Sequence, residues 1–168
     1  MNGLIIDVES TGPHPLEYSM VQIGAVDLKG NEFTCNMRPR PGTIADPAAL
    51  KATGLTWEQV CEWPDPEAQM RLFREFLEDT YGGKRVVSWS DNPAFDWQWI
   101  NTYLWAYTGG NPLGHSMRRI GDFYAGLQHN VTAASKWKRL RDTKHTHHAL
   151  DDARGNMEAL KKILSWSK

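Results

Sequence analysis

The spacing of apolar positions divides the chain into strands first and helices afterwards. Leu4 to Glu9 is short and mostly apolar, the pattern of a buried strand that ends on acids. Met20 to Leu28 predicts a second strand, Lys29-Gly30-Asn31 a turn, and Glu32 to Met37 a third strand that closes a hairpin. Pro39 to Pro47 reads as loop, followed by short helices over Ala48–Thr53 and Trp57–Cys61. Asp65-Pro66 is a helix start, with an acid at the cap and proline in the first turn. Met70, Phe73, Phe76 and Leu77 continue it at helical spacing until Gly82-Gly83 stops it. Val86-Val87 predicts a short buried strand leading to Trp89, and Ala94 to Tyr107 a second long helix ended by Gly109-Gly110. Further helices are expected over Ile120–Leu127, briefly over Ala133–Leu140, and from about Ala149 to Leu164. The last of these carries Ala153, Met157, Leu160 and Leu164 on one face. Strands followed by helices that alternate with a strand predict an α/β domain, a mixed sheet flanked by helices.

Composition narrows this only a little. A chain of 168 residues, 40% hydrophobic and 23% charged, suits one soluble domain spanning 1–168 with a sizeable core. No apolar run is long enough to span a bilayer, and nothing at the start resembles a signal peptide. Cys35 and Cys61 form neither a metal-type pair nor a disulfide framework, which fits free thiols in a reducing cytoplasm. A net charge of −1 excludes a generic polyanion binder. The charge is uneven, however: Lys136, Lys138, Arg139, Arg141 and Lys144 stand against Asp142 alone, whereas Glu58 to Asp79 is mostly acidic. A local basic face fits contact with a phosphate backbone at one site. A solvated helix face accounts for it equally well.

Three short motifs carry chemistry. In Asp7-Val8-Glu9, residues i and i+2 of a strand project to one face, so two carboxylates stand together at the end of an apolar strand. Such acids are costly without a partner and suggest ligation of a hard cation by oxygen. Ser10-Thr11-Gly12 follows, a glycine turn that lets backbone N–H groups approach a ligand. In Asn92-Pro93-Ala94-Phe95-Asp96, proline near the helix start places Asp96 in the first turn, where the helix dipole favours it. In His147-His148-Ala149-Leu150-Asp151-Asp152-Ala153, a histidine on a loop precedes an aspartate fixed in a helix, a division that suits a general base beside a metal ligand. Adjacent histidines and adjacent aspartates leave the choice within each pair open.

In order and spacing, these motifs resemble the DEDDh group of 3′→5′ exonucleases, which includes DnaQ-like proofreading subunits, ribonuclease T and oligoribonuclease. Asp7-Val8-Glu9-Ser10-Thr11-Gly12 matches the first motif of the group, Asn92 to Asp96 the middle one, and His147, Ala149, Asp152 and Ala153 the last. Gln22-Ile23-Gly24-Ala25 looks like its second strand. Ala52-Thr53-Gly54-Leu55-Thr56 lies where the group often has His-Gly-Ile-Thr, and the histidine is absent here. The resemblance runs from Leu4 to Ala153 and implies a ribonuclease-H-like, mixed five-stranded sheet. It selects His147 as base and Asp152 as ligand, leaving Asp151 outside. His148 lies where the sister DEDDy group carries tyrosine.

What the resemblance implies is phosphodiester hydrolysis with two Mg²⁺ ions, for which Mn²⁺ substitutes. Asp7 would bridge both ions, Glu9 and Asp152 would hold one of them, Asp96 would act through a bound water, and His147 would take the proton from the nucleophilic water. Backbone groups at Thr11 and Gly12 are expected to hold the terminal 3′-hydroxyl. Trp89, Phe95, Trp97 and Trp99 surround the middle motif, and Trp89 and Phe95 are the candidates for stacking on unpaired bases. Lys136, Arg139 and Lys144 are the candidate phosphate contacts. The expected partner is a single-stranded nucleic acid 3′ end, DNA or RNA. A free-standing exonuclease is the leading expectation. The alternatives are a subunit that acts mainly through a polymerase or helicase partner, and an oligoribonuclease-like enzyme, for which a homodimer is expected. The chain stops soon after Trp166, so no dedicated docking tail is expected.

Overall fold

Strands β1 (Gly3–Ser10), β2 (Met20–Asp27) and β3 (Glu32–Asn36) form an antiparallel meander in the computed structural model, which describes residues 2–166. Strands β4 (Val87–Ser90) and β5 (Arg118–Arg119) add in parallel beyond β1, giving the order β3-β2-β1-β4-β5. The helices are α1 (Pro47–Thr53), α2 (Trp57–Cys61), α3 (Pro66–Tyr81), α4 (Pro93–Thr108), α5 (Ile120–Leu127) and α6 (Ala149–Ser165). This is the ribonuclease-H-like α/β arrangement expected of the sequence. No described helix is long and apolar enough to cross a membrane.

Strand β1 is an almost unbroken apolar run because both of its faces are covered. Leu4, Ile6 and Val8 enter one core layer with Met70, Phe73 and Leu77 of α3 and Trp99, Ile100, Tyr103 and Leu104 of α4. Ile5 enters the other, with Ile120 and Tyr124 of α5 and Ala153, Leu160 and Ile163 of α6. Side chains alternate along a strand, so Asp7 and Glu9, in step with Ile5, fall on the α6 side. Helix α3 begins where Asp65 accepts a hydrogen bond from the Glu67 amide at 2.9 Å, a cap worth about 1 kcal/mol. It ends at Gly82, whose φ of 55° is left-handed.

Three local expectations change. The fifth strand is only Arg118–Arg119, too short to leave a periodic signal. The segment expected as a helix over Ala133–Leu140 consists of two 3₁₀ turns, Val131–Ala133 and Lys136–Leu140. The buried residues of α6 are Ala149, Leu150, Asp152, Ala153, Gly155, Asn156, Ala159, Leu160 and Ile163, while Met157 and Leu164 are only partly covered. The helix turns its small and polar residues to the sheet because it lies almost on the backbone of β2. A β-carbon added at Gly24 would stand 2.2 Å from the carbonyl of Ala149.

Candidate active site

The acids of β1 and the first turn of α6 meet at one end of the sheet. Asp7 pairs with Gly24 across the strand pair, and it is at Gly24 that α6 makes its closest approach. Carboxylate oxygens of Asp7, Glu9 and Asp152 therefore lie within 4.8 Å of one another. A register shift between Glu9 and Ser10 bends the strand end at this point. Asp152 itself is only 1% exposed, and its Oδ1 accepts from the Thr146 amide at 2.9 Å and its Oδ2 from the His147 amide at 3.1 Å. A residue inside the helix thus pins the loop that carries the histidines.

Asp96 is contributed by α4, whose start is set by Asn92 and Pro93. Both of its oxygens are engaged: Oδ1 accepts from the Val8 amide at 3.2 Å and Oδ2 from the Ser90 hydroxyl at 2.5 Å. These bonds tie the middle motif to the ends of β1 and β4, and Asp96 is buried beside the acid cluster.

His147 has a left-handed backbone, φ 57°, and lines a cleft of about 410 Å³ with Glu9, Ser10, Gly12, Asn92 and Phe95. His148 is the residue before α6, and its Nδ1 turns to Asp151, 3.8 Å away. His145 is a residue that sequence reasoning missed. Its Nδ1 stands 2.8 Å from Asp152 Oδ2 and its ring packs edge-on against His147, centroids 4.3 Å apart. The only available signal was its i, i+2 spacing from His147.

Burial first, and then the crowding of carboxylates, sets the electrostatics of the cluster. Burial, followed by repulsion from Asp96, Glu9 and Asp152, holds the Asp7 carboxyl well above its usual range. Burial first, then Asp152 and Asp96, raises Glu9 to about 8, and burial raises Asp96 to about 7 against the hydrogen bonds from Ser90 and Val8. A carboxyl raised on folding stabilises the fold while protonated; this contribution is complete below the ordinary value of 4.5 for Glu9 and is lost as pH climbs through about 8. In EDTA, Glu9→Gln should therefore gain stability over the parent protein between about pH 5 and about pH 8. Melting curves of both proteins across that range check this, and a constant difference in melting temperature would refute it.

Arg141 moderates the repulsion, and its charge pulls Asp7 back down. Its side chain is 7% exposed, lies over the Trp137 ring at 4.8 Å, donates to Asn156 Oδ1 and stands 3.6 Å from Asp91. Lys138 reaches the same Asp91 at 2.5 Å. Lys144 lines a hollow of about 330 Å³ with Lys138, Arg141 and His145. Arg139 does not share that hollow: it turns away to the Tyr124 hydroxyl, 3.3 Å distant. Lys136 is exposed at the start of the 3₁₀ turn.

The aromatic candidates separate by burial. Phe95 lines the cleft. Trp89, expected to stack on a base, is instead 1% exposed and packs against Phe123 in the α6-side core. Trp99 is fully buried, and Trp97 is packed against the α3–α4 core. Thr11 also departs from expectation. It is fully buried, its amide donates to the Ser19 carbonyl, its hydroxyl donates to the Ile44 carbonyl, and its own carbonyl accepts from Asp46. Every polar group of Thr11 holds the loop, which leaves Gly12 as the member of the pair that faces the cleft.

A family model described as "Exonuclease", RNase T, matches residues 4–160. The 3′-5′ DNA exonuclease Cap18 of Escherichia coli is 34% identical over 167 residues, covering 94% of this chain and 89% of Cap18. Among solved structures, the nuclease domain of 3′hExo, a DEDDh family member bound to rAMP, superposes with a TM-score of 0.75 at 15% identity, covering 98% of this chain and 92% of that one. Escherichia coli Exonuclease I in complex with a dT13 oligonucleotide gives 0.70 at 15% identity, covering 97% of this chain but only 40% of that one. The structural likenesses are likenesses of fold, whereas the sequence matches extend over the motifs that build the acid cluster and its histidine. The chain belongs to the RNase T family of exonucleases.

Proposed function

We propose that residues 1–168 form a 3′→5′ exonuclease that removes nucleoside monophosphates from the 3′ end of single-stranded DNA. The observation that carries this reading is the convergence of Asp7, Glu9 and Asp152 within 4.8 Å beside a cleft lined by His147. DNA is favoured over RNA by the similarity to Cap18, which extends over most of both chains.

The donor set fits Mg²⁺. All three converging groups are carboxylates, hard oxygen ligands, and burial together with mutual repulsion raises the proton affinity of Asp7 and Glu9. Two ions held by Asp7, Glu9 and Asp152 would activate water, neutralise the phosphate and stabilise the leaving oxygen. Asp96, with both oxygens engaged by Val8 and Ser90, supports the cluster from outside, acting through a bound water. His147 accepts the proton of the attacking water at the cleft rim. Phe95 presents an apolar wall on which the terminal base stacks, and Gly12 allows the backbone to approach the 3′-terminal sugar.

A time course on 5′-labelled single-stranded DNA and RNA tests the reading. The expected result is a ladder shortening from the 3′ end, faster on DNA, dependent on Mg²⁺ and abolished by EDTA. His147→Ala should lower kcat by about 10²–10⁴-fold, the usual contribution of a positioned general base, while His148→Ala stays near the parent rate. Absence of metal-dependent shortening on either polymer, or full activity in His147→Ala, would overturn it.

A further inference from the structure

We propose that His145, His147 and Asp152 form an additional cation site, selective for a borderline transition ion such as Zn²⁺, whose occupation switches the nuclease off. The binding claim stands on its own geometry; the inhibitory claim also rests on the reading of His147 as the base.

The ligand atoms of the three residues all lie within 4.8 Å of one another. They come from one short stretch of chain, so little loop-closure entropy opposes their convergence. The left-handed backbone of His147, a conformation that costs a non-glycine residue on the order of 1–2 kcal/mol, brings its ring to 4.3 Å from that of His145. Amide bonds from Thr146 and His147 to Asp152 hold the loop over the carboxylate. Asp152 is 1% exposed while the side chain of His145 is 47% exposed, so a buried carboxylate is roofed by imidazoles open to solvent.

Donor chemistry separates this trio from the oxygen-only set of Asp7, Glu9 and Asp152. Two imidazole nitrogens and one carboxylate match the three-ligand, one-open-position pattern of Zn²⁺, and imidazole ranks Zn²⁺ far above Mg²⁺. With metal–ligand lengths of about 2.1 Å, donors around a tetrahedral ion sit about 3.4 Å apart. His145 Nδ1 and Asp152 Oδ2 are now 2.8 Å apart, so a small ring rotation opens the space an ion needs between them. His148 is not part of the trio because it faces Asp151.

The functional consequence follows from two shared residues. A cation on His147 takes the lone pair that would accept the proton of water, and the same cation draws on Asp152, a member of the oxygen set. Zn²⁺ should therefore inhibit at concentrations far below that of Mg²⁺.

The test is Zn²⁺ titration of the purified chain against a chromophoric chelator in saturating Mg²⁺, with Co²⁺ absorption as a report on imidazole ligation. The parent protein should bind one Zn²⁺ that Mg²⁺ does not displace. His145→Ala should weaken that binding by more than about 100-fold, beyond the roughly 10–100-fold that loss of an outer-shell partner usually costs, and should also remove the Co²⁺ band. His148→Ala should bind as the parent does. Unchanged Zn²⁺ affinity in folded His145→Ala, or no binding by the parent, would overturn the site. If Zn²⁺ binds as stated while neither polymer is shortened in Mg²⁺, the site stands and the exonuclease reading falls. If shortening occurs and Zn²⁺ inhibits parent and His145→Ala equally, the exonuclease reading stands and the switch falls.

Discussion

Replacing Asp7 by asparagine is expected to abolish hydrolysis and, in the absence of metal, to raise the melting temperature. Asp7 is the acid on which the others converge: its carboxyl is pushed well up by burial and then by Asp96, Glu9 and Asp152. Near neutral pH, the protein without metal must either keep a proton there or tolerate the repulsion. Asparagine keeps the shape and removes the charge. A gain of about 1 kcal/mol in metal-free stability corresponds to roughly 2–4 °C for a domain of this size. The rate should fall by about 10³-fold or more, as for other groups that act as a unit in one centre. The two readouts must move in opposite directions. Hydrolysis by Asp7→Asn within about tenfold of the parent rate in Mg²⁺, or a metal-free melting temperature below that of the parent, would contradict the role assigned to this carboxylate.

The second large effect is expected at a residue with no side chain. At Gly24 an alanine β-carbon would meet the Ala149 carbonyl and the Leu150 amide at 2.2–2.3 Å. Both are backbone, so the clash cannot be relieved by turning a side chain; α6 must move off the sheet. Overpacking of this kind costs about 1–3 kcal/mol. The larger consequence concerns Asp152 and the loop it holds, which travel with the first turn of α6. A displacement of about 1 Å at a reacting centre costs about 10²-fold in rate. Gly24→Ala should therefore remain folded at low temperature, bind Mg²⁺ weakly and lose about 10²-fold in kcat. Circular dichroism, metal titration and single-turnover kinetics separate these effects. Wild-type kinetics in Gly24→Ala would show that the approach of α6 does not set the site.

Much of this protein was legible residue by residue. The hairpin, the caps of α3 and the strand that ends in Asp7 and Glu9 are written in local spacing, and the structure reproduces them. The motif order was legible too, because the three short segments lie where chain elements end, and proline, glycine and acids mark such ends. Less was legible where neighbours come from distant segments. Trp89 and Phe95 looked equivalent around the middle motif, yet one faces the α6-side core and the other the cleft. The run from Lys136 to Lys144 looked like one basic face, but two 3₁₀ and extended stretches aim its members differently. Arg139 reaches Tyr124, whereas Lys138 and Arg141 reach Asp91.

The sequence alone determined that two carboxylates share one face of β1, because residue alternation in a strand depends on the backbone and not on the rest of the fold. It also determined the family, since the motifs keep their order and spacing whatever packs around them. Only the tertiary structure decided that Asp152 closes on Asp7 and Glu9, that Arg141 is buried near them, and that His145 joins His147 over Asp152. The closure of Asp152 on Asp7 and Glu9 depends on how near α6 lies to β2. That distance is set by the missing side chain of Gly24, and no periodicity along the chain encodes it.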